Sequence, residues 1–125
     1  MEKGKVLIID DESDMVDTLF FMLYASNYDV YSALAGSDGL EIAKSGRPDL
    51  AIVDIMMPDM DGYEVCRQLR SEDATKNTLI IILSAKTDSE AIQKAYQSGA
   101  DDYITKPFDF PVLLDKMGQL MSKFA

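Results

Sequence analysis

The chain of 125 residues contains no histidine and no tryptophan, and it has a single cysteine, Cys66. Without histidine, the chain has no imidazole to act as a general base, a metal ligand or a phosphoryl acceptor. A single cysteine can form neither an internal disulfide nor a thiolate cage for a metal. These absences exclude histidine-dependent catalysis, a phosphohistidine and a disulfide within this chain.

Positive charge is also scarce, because 12 Lys and Arg residues face 22 Asp and Glu residues, which gives a net charge of −10. This balance argues against direct binding of nucleic acid or of an anionic membrane surface by this domain. No apolar run is long enough to cross a bilayer, and the first one, Val6 to Ile9, is too short for a signal peptide. We therefore expect a cytoplasmic location and no membrane contact.

Short apolar runs alternate with helical patterns along the whole chain, which predicts one domain over residues 1–125. The predicted strands are 6–9, 28–33, 50–53, 79–83 and 100–105, and the predicted helices are 13–25, 37–44, 63–70, 89–97 and 111–123. Ser37 is expected to cap the second helix, and Asp88 or Thr87 the fourth. The pattern predicts an α/β fold with a five-stranded parallel sheet between two helix layers.

The stretch of residues 50–62 is the most informative part of the sequence. Its apolar run, Leu50 to Val53, has no polar face, which is typical of a strand buried on both sides. Asp54 follows this run directly and precedes a turn that contains Pro58 and Gly62. Asp54 is therefore expected at the carboxyl end of a strand, the edge at which open α/β sheets form their sites.

Polar groups follow three other predicted strands, namely Asp10 and Asp11, Ser84, and Lys106. Carboxylates at this shared edge would repel one another, by about 4 kcal/mol for a pair at about 4 Å and an effective dielectric of about 20. A hard divalent cation such as Mg²⁺ would relieve this repulsion. The cation, the Lys106 ammonium and the Ser84 hydroxyl would then form a cradle for a phosphoryl group on Asp54.

Each of these residues also has a purely structural interpretation. Asp10 and Asp11 are suitable residues for a helix N-terminus, and Asp54 for a turn. Ser84 is suitable for a cap, and Lys106 for an ordinary surface position. The coincidence of suitable groups at four strand ends nevertheless favours a site.

The chain resembles the response-regulator receiver domain (CheY-like), the phospho-acceptor half of two-component signalling. The matching segments are residues 8–12, 54–62, 83–85 and 99–108, in the order and spacing of the family. The resemblance implies the flavodoxin-like (βα)₅ fold with strand order 2-1-3-4-5. It also implies two kinds of partner: a sensor histidine kinase or histidine phosphotransfer protein as donor, and an output domain or target protein.

The resemblance assigns the phosphoryl acceptor and the metal ligands. Asp54 matches the phosphorylation site, and Asp11 matches a direct Mg²⁺ ligand, with Asp10 acting nearby or through water. Asp54 itself and the backbone carbonyl of Met56 would complete the protein ligands. Mn²⁺ is the alternative ion.

The resemblance also assigns the residues that respond to phosphorylation. Ser84 matches the hydroxyl that moves onto the phosphoryl group, and Lys106 matches the lysine that pairs with its oxygens. The bond between Lys106 and Pro107 matches one that is cis in this family, and Tyr103 matches a rotating switch aromatic.

Two further positions in this family influence how fast water removes the phosphoryl group, and they correspond to Met56 and Lys86. Met56 has no polar group with which to orient water, and Lys86 is long enough to shield or pair with the phosphoryl group. These residue types predict slow self-dephosphorylation.

The fourth helix, fifth strand and last helix together form the expected output face. Its polar and charged residues are Lys94, Tyr96, Gln97, Asp101, Asp102, Lys116 and Gln119. Charges of both signs suit a phosphorylation-linked homodimer through this face, and an ordinary solvated surface is the alternative.

Four other interpretations remain open from the sequence. The chain could be a complete regulator that signals as a non-enzymatic protein-binding module, or a domain cut from a longer protein. A metal-dependent phosphohydrolase with an aspartyl nucleophile would need a second carboxylate where Met56 stands. A flavin-binding module would need a phosphate loop where Asp10 and Asp11 would repel phosphate.

Overall fold

Strands and helices alternate along the chain in the computed structural model, which describes residues 3–123. The strands are β1 (Lys5–Ile9), β2 (Asp29–Ala33), β3 (Leu50–Val53), β4 (Leu79–Ser84) and β5 (Asp102–Thr105). The helices are α1 (Ser13–Ala25), α2 (Gly36–Gly46), α3 (Gly62–Ser71), α4 (Ser89–Gln97) and α5 (Phe110–Lys123). The predicted order of elements is confirmed, and no bound differs by more than two residues.

The five strands form one parallel sheet in the order β2-β1-β3-β4-β5, so the predicted flavodoxin-like topology is confirmed. In the centre of the sheet, Val53 of β3 is level with Ile9 of β1 and with Ile82 of β4. The carboxyl ends of β1 and β3 therefore stop at the same height, and the residues that follow them lie side by side.

Successive residues of the central strands point to opposite faces of the sheet and pack in two separate cores. Leu7 and Ile9 pack with residues of α2, α3 and α4, whereas Val6 and Ile8 pack with residues of α1 and α5. Because β1, β3 and β4 are covered on both faces, their side chains are buried almost without exception, as the apolar runs indicate. Within residues 3–123, no helix combines the length and apolar character needed to cross a membrane.

The fifth strand begins later than the sequence predicts, at Asp102 instead of Ala100. The Asp101 carboxylate accepts a hydrogen bond from the Ile80 N–H at 2.8 Å, and it forms an ion pair with Arg70 at 2.9 Å. The Asp101 side chain thus accepts the Ile80 N–H that a strand carbonyl would otherwise accept. Strand pairing therefore starts at the next residue, Asp102.

The prediction that Ser37 caps α2 is wrong. The helix begins at Gly36, and its N-cap residue, Ala35, has no side-chain hydrogen bond to offer. The cap comes instead from Asp59 in the loop after β3, which accepts hydrogen bonds from the N–H groups of Gly36 at 3.1 Å and Ser37 at 3.0 Å. By contrast, Asp88 caps α4 as expected.

Gly62 begins α3 at a point where the chain comes very close to the end of β3. Its N–H donates to the carbonyl of Ile55 at 2.9 Å. A Cβ atom at this position would overlap the carbonyl of Asp54 and lie 2.8 Å from the Cα of Ile55, and both are backbone atoms that no rotamer change can move. Only glycine therefore lets α3 start directly against the end of β3, next to Asp54.

We expect Gly62→Ala to lower the free energy of unfolding by about 1–3 kcal/mol, since the backbone must shift to admit the methyl group. Gly118→Ala is the matched control, because Gly118 lies in α5 with nothing within 4 Å of a Cβ. The control should raise stability by up to about 1 kcal/mol through higher helix propensity. Urea unfolding of both variants measures the difference, and equal stability of the two would contradict the steric account.

Candidate functional site at the carboxyl edge of the sheet

The hydrogen-bond ladder continues one residue beyond β1 and β3 and so orients the two carboxylates that follow them. The Asp54 N–H donates to the Ile9 carbonyl at 3.0 Å, and the Asp10 N–H donates to the Ala33 carbonyl at 3.1 Å. Both side chains are nearly buried, with 8% of Asp54 and 3% of Asp10 exposed. The edge thus holds two carboxylates that water solvates poorly.

Lys106 brings one positive charge to this edge. Its N–H donates to the carbonyl of Ser84 at 2.8 Å, and the peptide bond to Pro107 is cis, as the resemblance implies. The Lys106 ammonium lies 2.8 Å from Asp10, 3.0 Å from Glu12 and 3.4 Å from Asp54. One ammonium is therefore shared among three carboxylates.

The sharing affects the ionisation of Asp10 and Lys106. Burial raises the pKa of Asp10 above its usual range, although hydrogen bonds from Lys106 and from the Glu12 N–H oppose this effect. Burial opposes the charge of Lys106, but hydrogen bonds to Asp10 and Glu12 outweigh it and raise the pKa of Lys106. Since the folded pKa of Asp10 is raised, its contribution to stability is greatest below the unfolded pKa and is lost as pH rises through the folded value.

Asp10, Glu12 and Asp54 each offer one carboxylate oxygen, and these three oxygens lie within 4.8 Å of one another. Oxygen ligands at this spacing suit a hard divalent cation, and Mg²⁺ binds in this way while keeping several waters. The chemistry of the donor set therefore fits the ion that the sequence predicts.

The third member of this cluster is Glu12, whereas Asp11 is exposed and lies outside it. Sequence reasoning gave Glu12 no role of its own. The signal that could have found it is the Asx-turn tendency of Asp10, whose carboxylate accepts the Glu12 N–H at 3.0 Å and turns the chain back over the edge. The role of Asp11 as a direct metal ligand stays a prediction.

Ser84 and Tyr103 both hold the turn that follows β4. The Ser84 hydroxyl oxygen is completely buried and accepts the Lys86 N–H at 3.3 Å. The Tyr103 hydroxyl donates to the Lys86 carbonyl at 2.7 Å, and burial raises the pKa of this tyrosine. Ser84 and Tyr103, the two predicted switch residues, are thus linked through the backbone of Lys86. Ser84 binds its N–H group, and Tyr103 binds its carbonyl.

Met56 lies on the other side of Asp54, at the start of the loop of residues 55–61. Its side chain is exposed, at 59% of its surface, and its N–H lies 3.5 Å from an Asp54 carboxylate oxygen. An apolar side chain thus lies beside the site, as expected, and the use of its carbonyl as a metal ligand stays a prediction.

Residues 6–118 match the family model described as the response regulator receiver domain. The chain is 35% identical to the DNA-binding dual master transcriptional regulator RpaA of Synechocystis, over 95% of this chain and 49% of that protein. It is 41% identical to the alkaline phosphatase synthesis transcriptional regulatory protein PhoP of Bacillus subtilis, over 83% of this chain and 42% of that protein. The chain thus spans about half the length of these relatives.

Among solved structures, the receiver domain of the Francisella response regulator 1452 is similar to this chain, with a TM-score of 0.91 and 30% identity. The similarity covers 98% of this chain and 100% of that structure. Fold and sequence comparisons therefore agree over almost the entire chain.

We expect Asp54→Asn to raise the free energy of unfolding of the metal-free protein by about 1 kcal/mol, because it removes one of three carboxylates that share a single ammonium. The same change should reduce the rise in melting temperature that Mg²⁺ produces, since a ligand oxygen loses its charge. Asp115→Asn, on the exposed side of α5, is the control and should alter neither value. A less stable metal-free Asp54→Asn protein would contradict the repulsion argument.

Proposed function

We propose, on the premise that this chain belongs to the response regulator receiver domain family, that it is a phosphorylation-driven signalling switch with Asp54 as its phosphoryl acceptor. A sensor histidine kinase or a histidine phosphotransfer protein would be the donor, because this chain has no histidine. The observation that supports the proposal best is the buried Asp54 carboxylate at the end of a central strand, within reach of Lys106 and beside Asp10.

In the proposed reaction, an Asp54 carboxylate oxygen attacks the phosphorus of the partner's phosphohistidine in line with the phosphorus–nitrogen bond. That bond breaks as the new oxygen–phosphorus bond forms, and the imidazole leaves with the electron pair. A divalent cation would neutralise charge on the transferred group. Its proposed ligands are Asp11, Asp54 and the Met56 carbonyl, with Asp10 nearby or acting through water and Glu12 beside the same site. Lys106 can turn from Asp10 and Glu12 to phosphoryl oxygens on Asp54, because its ammonium already lies 3.4 Å from the Asp54 carboxylate.

The proposed switch works through the turn after β4. If the Ser84 hydroxyl donates to a phosphoryl oxygen, it pulls on the Lys86 N–H that its own oxygen accepts. The Lys86 carbonyl accepts the hydrogen bond of the Tyr103 hydroxyl, so a shift of the Lys86 backbone would also displace the Tyr103 side chain. A local charge event can in this way bias two conformations of the turn and of β5.

The output surface would be the face formed by α4, β5 and α5. Within the described residues, Lys116 pairs with Asp102 at 3.3 Å and Arg70 pairs with Asp101 at 2.9 Å, so these acids already have partners in their own chain. A homodimer through this face would have to exchange such internal pairs for pairs between subunits. The relatives are about twice as long as this chain, which supports an output domain in the complete protein.

The aspartyl phosphohydrolase is not favoured, since the position two residues after Asp54 is the apolar Met56. The proposed activity is limited to the protein's own phosphorylation and dephosphorylation. Nucleic-acid binding would belong to a separate domain, and the cytoplasmic location stays a prediction.

The proposed reaction predicts a single phosphoryl adduct after incubation with acetyl phosphate, by intact mass, that needs both Mg²⁺ and Asp54. Asp54→Ala should abolish the adduct, and Asp115→Ala should leave it unchanged. An adduct that persists in Asp54→Ala would contradict the assigned acceptor. A wild-type protein that gains no adduct from acetyl phosphate or from a phosphohistidine donor would contradict the proposed function.

The apolar Met56 beside Asp54 predicts that the adduct is lost slowly after the donor is removed. We expect Met56→Asn to shorten its lifetime severalfold, because a carboxamide at this position can orient an attacking water. Met56→Leu is the control and should keep the wild-type lifetime. Loss of the wild-type adduct within seconds at room temperature would contradict this prediction.

A further inference from the structure

Asp59 joins the loop of residues 55–61 to the start of α2, an element that the mechanism does not otherwise use. Its two carboxylate oxygens accept the N–H groups of Gly36 at 3.1 Å and Ser37 at 3.0 Å. The Ser37 hydroxyl donates to the same carboxylate at 3.0 Å. Three hydrogen bonds thus connect residues that are more than twenty positions apart in the chain.

The helix has no local alternative to this contact. Ala35 occupies the N-cap position in an extended conformation and has no side-chain oxygen. The first N–H groups of a helix need acceptors from outside it, and a carboxylate is also favoured there by the helix dipole. The hydrogen bonds from Ser37 and Gly36 lower the pKa of Asp59, so the carboxylate stays charged at neutral pH.

The loop also packs directly on the start of the helix. A Cβ atom at Gly36 would lie 3.0 Å from the Cβ of Met60 and 3.3 Å from its carbonyl oxygen. The start of the helix therefore lies directly against Met60, the residue that follows Asp59 in the loop.

Outside Asp59, the loop is anchored by the buried side chains of Ile55 and Met57 and by hydrogen bonds towards its ends. The Ile55 carbonyl accepts the Gly62 N–H at 2.9 Å, and Asp61 caps α3 through the Glu64 N–H at 2.9 Å. Met56, with an exposed side chain, lies between the first anchor and Asp59.

We propose that Asp59 is a positioning residue that holds the 55–61 loop so that the Met56 carbonyl faces the metal site beside Asp54. The inference rests on the proposed function, in which that carbonyl is a metal ligand. Mg²⁺ requires near-ideal octahedral geometry, so a carbonyl on an untethered loop is a poorer ligand than one that is already in place.

Asp59→Ala should raise the Mg²⁺ dissociation constant about tenfold, as is usual when a residue that orients a ligand is lost. Calorimetric titration measures this constant without any phosphodonor. Hydrogen exchange of the loop amides in the metal-free protein should also become faster. Asp59→Asn, which keeps one acceptor oxygen, should fall between the wild type and Asp59→Ala in both measurements.

A second substitution separates the tether from plain helix stability. In the double variant Asp59→Ala/Ala35→Asp, the new aspartate caps α2 locally and should recover the lost stability. It does not reconnect the loop, so Mg²⁺ affinity should remain low. Thr78→Val serves as the control for general destabilisation, because it removes a buried hydrogen bond to Pro48 at the opposite edge of the sheet. Its Mg²⁺ affinity should equal that of the wild type.

The inference is overturned if Asp59→Ala binds Mg²⁺ within about twofold of the wild type, or if Ala35→Asp restores affinity together with stability. Failure of the proposed function looks different, because wild-type protein would then gain no phosphoryl adduct. A different result would reject only the role of Asp59. In that case the wild type is phosphorylated, and Asp59→Ala has the same phosphorylation rate and the same Mg²⁺ affinity as the wild type.

Discussion

The sharing of one ammonium among three carboxylates is the interaction on which the whole edge of this protein depends. Lys106 lies within 3.4 Å of Asp10, Glu12 and Asp54, two of which are nearly buried. The group retains an excess of negative charge in a place where water cannot fully solvate it. Such an arrangement favours a cation, and it leaves Lys106 with several acceptors of similar distance. Both properties suit a site where charge arrives and leaves as a phosphoryl group.

The two loops beside Asp54 are built in contrasting ways. The loop before α3 is held to other elements by Asp59, by Asp61 and by the close approach of Gly62. The turn after β4 depends instead on two hydrogen bonds, one from the Lys86 N–H to the Ser84 hydroxyl oxygen and one from the Tyr103 hydroxyl to the Lys86 carbonyl. A metal site needs the first kind of loop, because its ligands must stay in place. A switch needs the second kind, because few bonds must change for the turn to move.

Much of the fold and part of the site follow from local sequence patterns. The apolar runs that form β1, β3 and β4 have lengths and flanking residues that suit only strands buried on both faces, and the structure confirms them. Asp10, Asp54, Ser84 and Lys106 could be assigned to one edge because parallel strands all end on the same side. These inferences need only the pattern of apolar side chains along the sequence and the parallel direction of the strands.

The sequence by itself determined the type and order of the elements and the residues that follow each strand. It could not reveal that Glu12 joins the carboxylate cluster while Asp11 lies outside it, since this depends on how the chain turns after β1 and on where Lys106 lies. Nor could it reveal that Asp59, and not Ser37, caps α2, or that the Asp101 side chain delays the start of β5. Each of these outcomes depends on which donor lies near which acceptor once distant segments have packed. Only the tertiary structure decides that, since hydrogen bonds between remote residues leave no periodic signal in the chain.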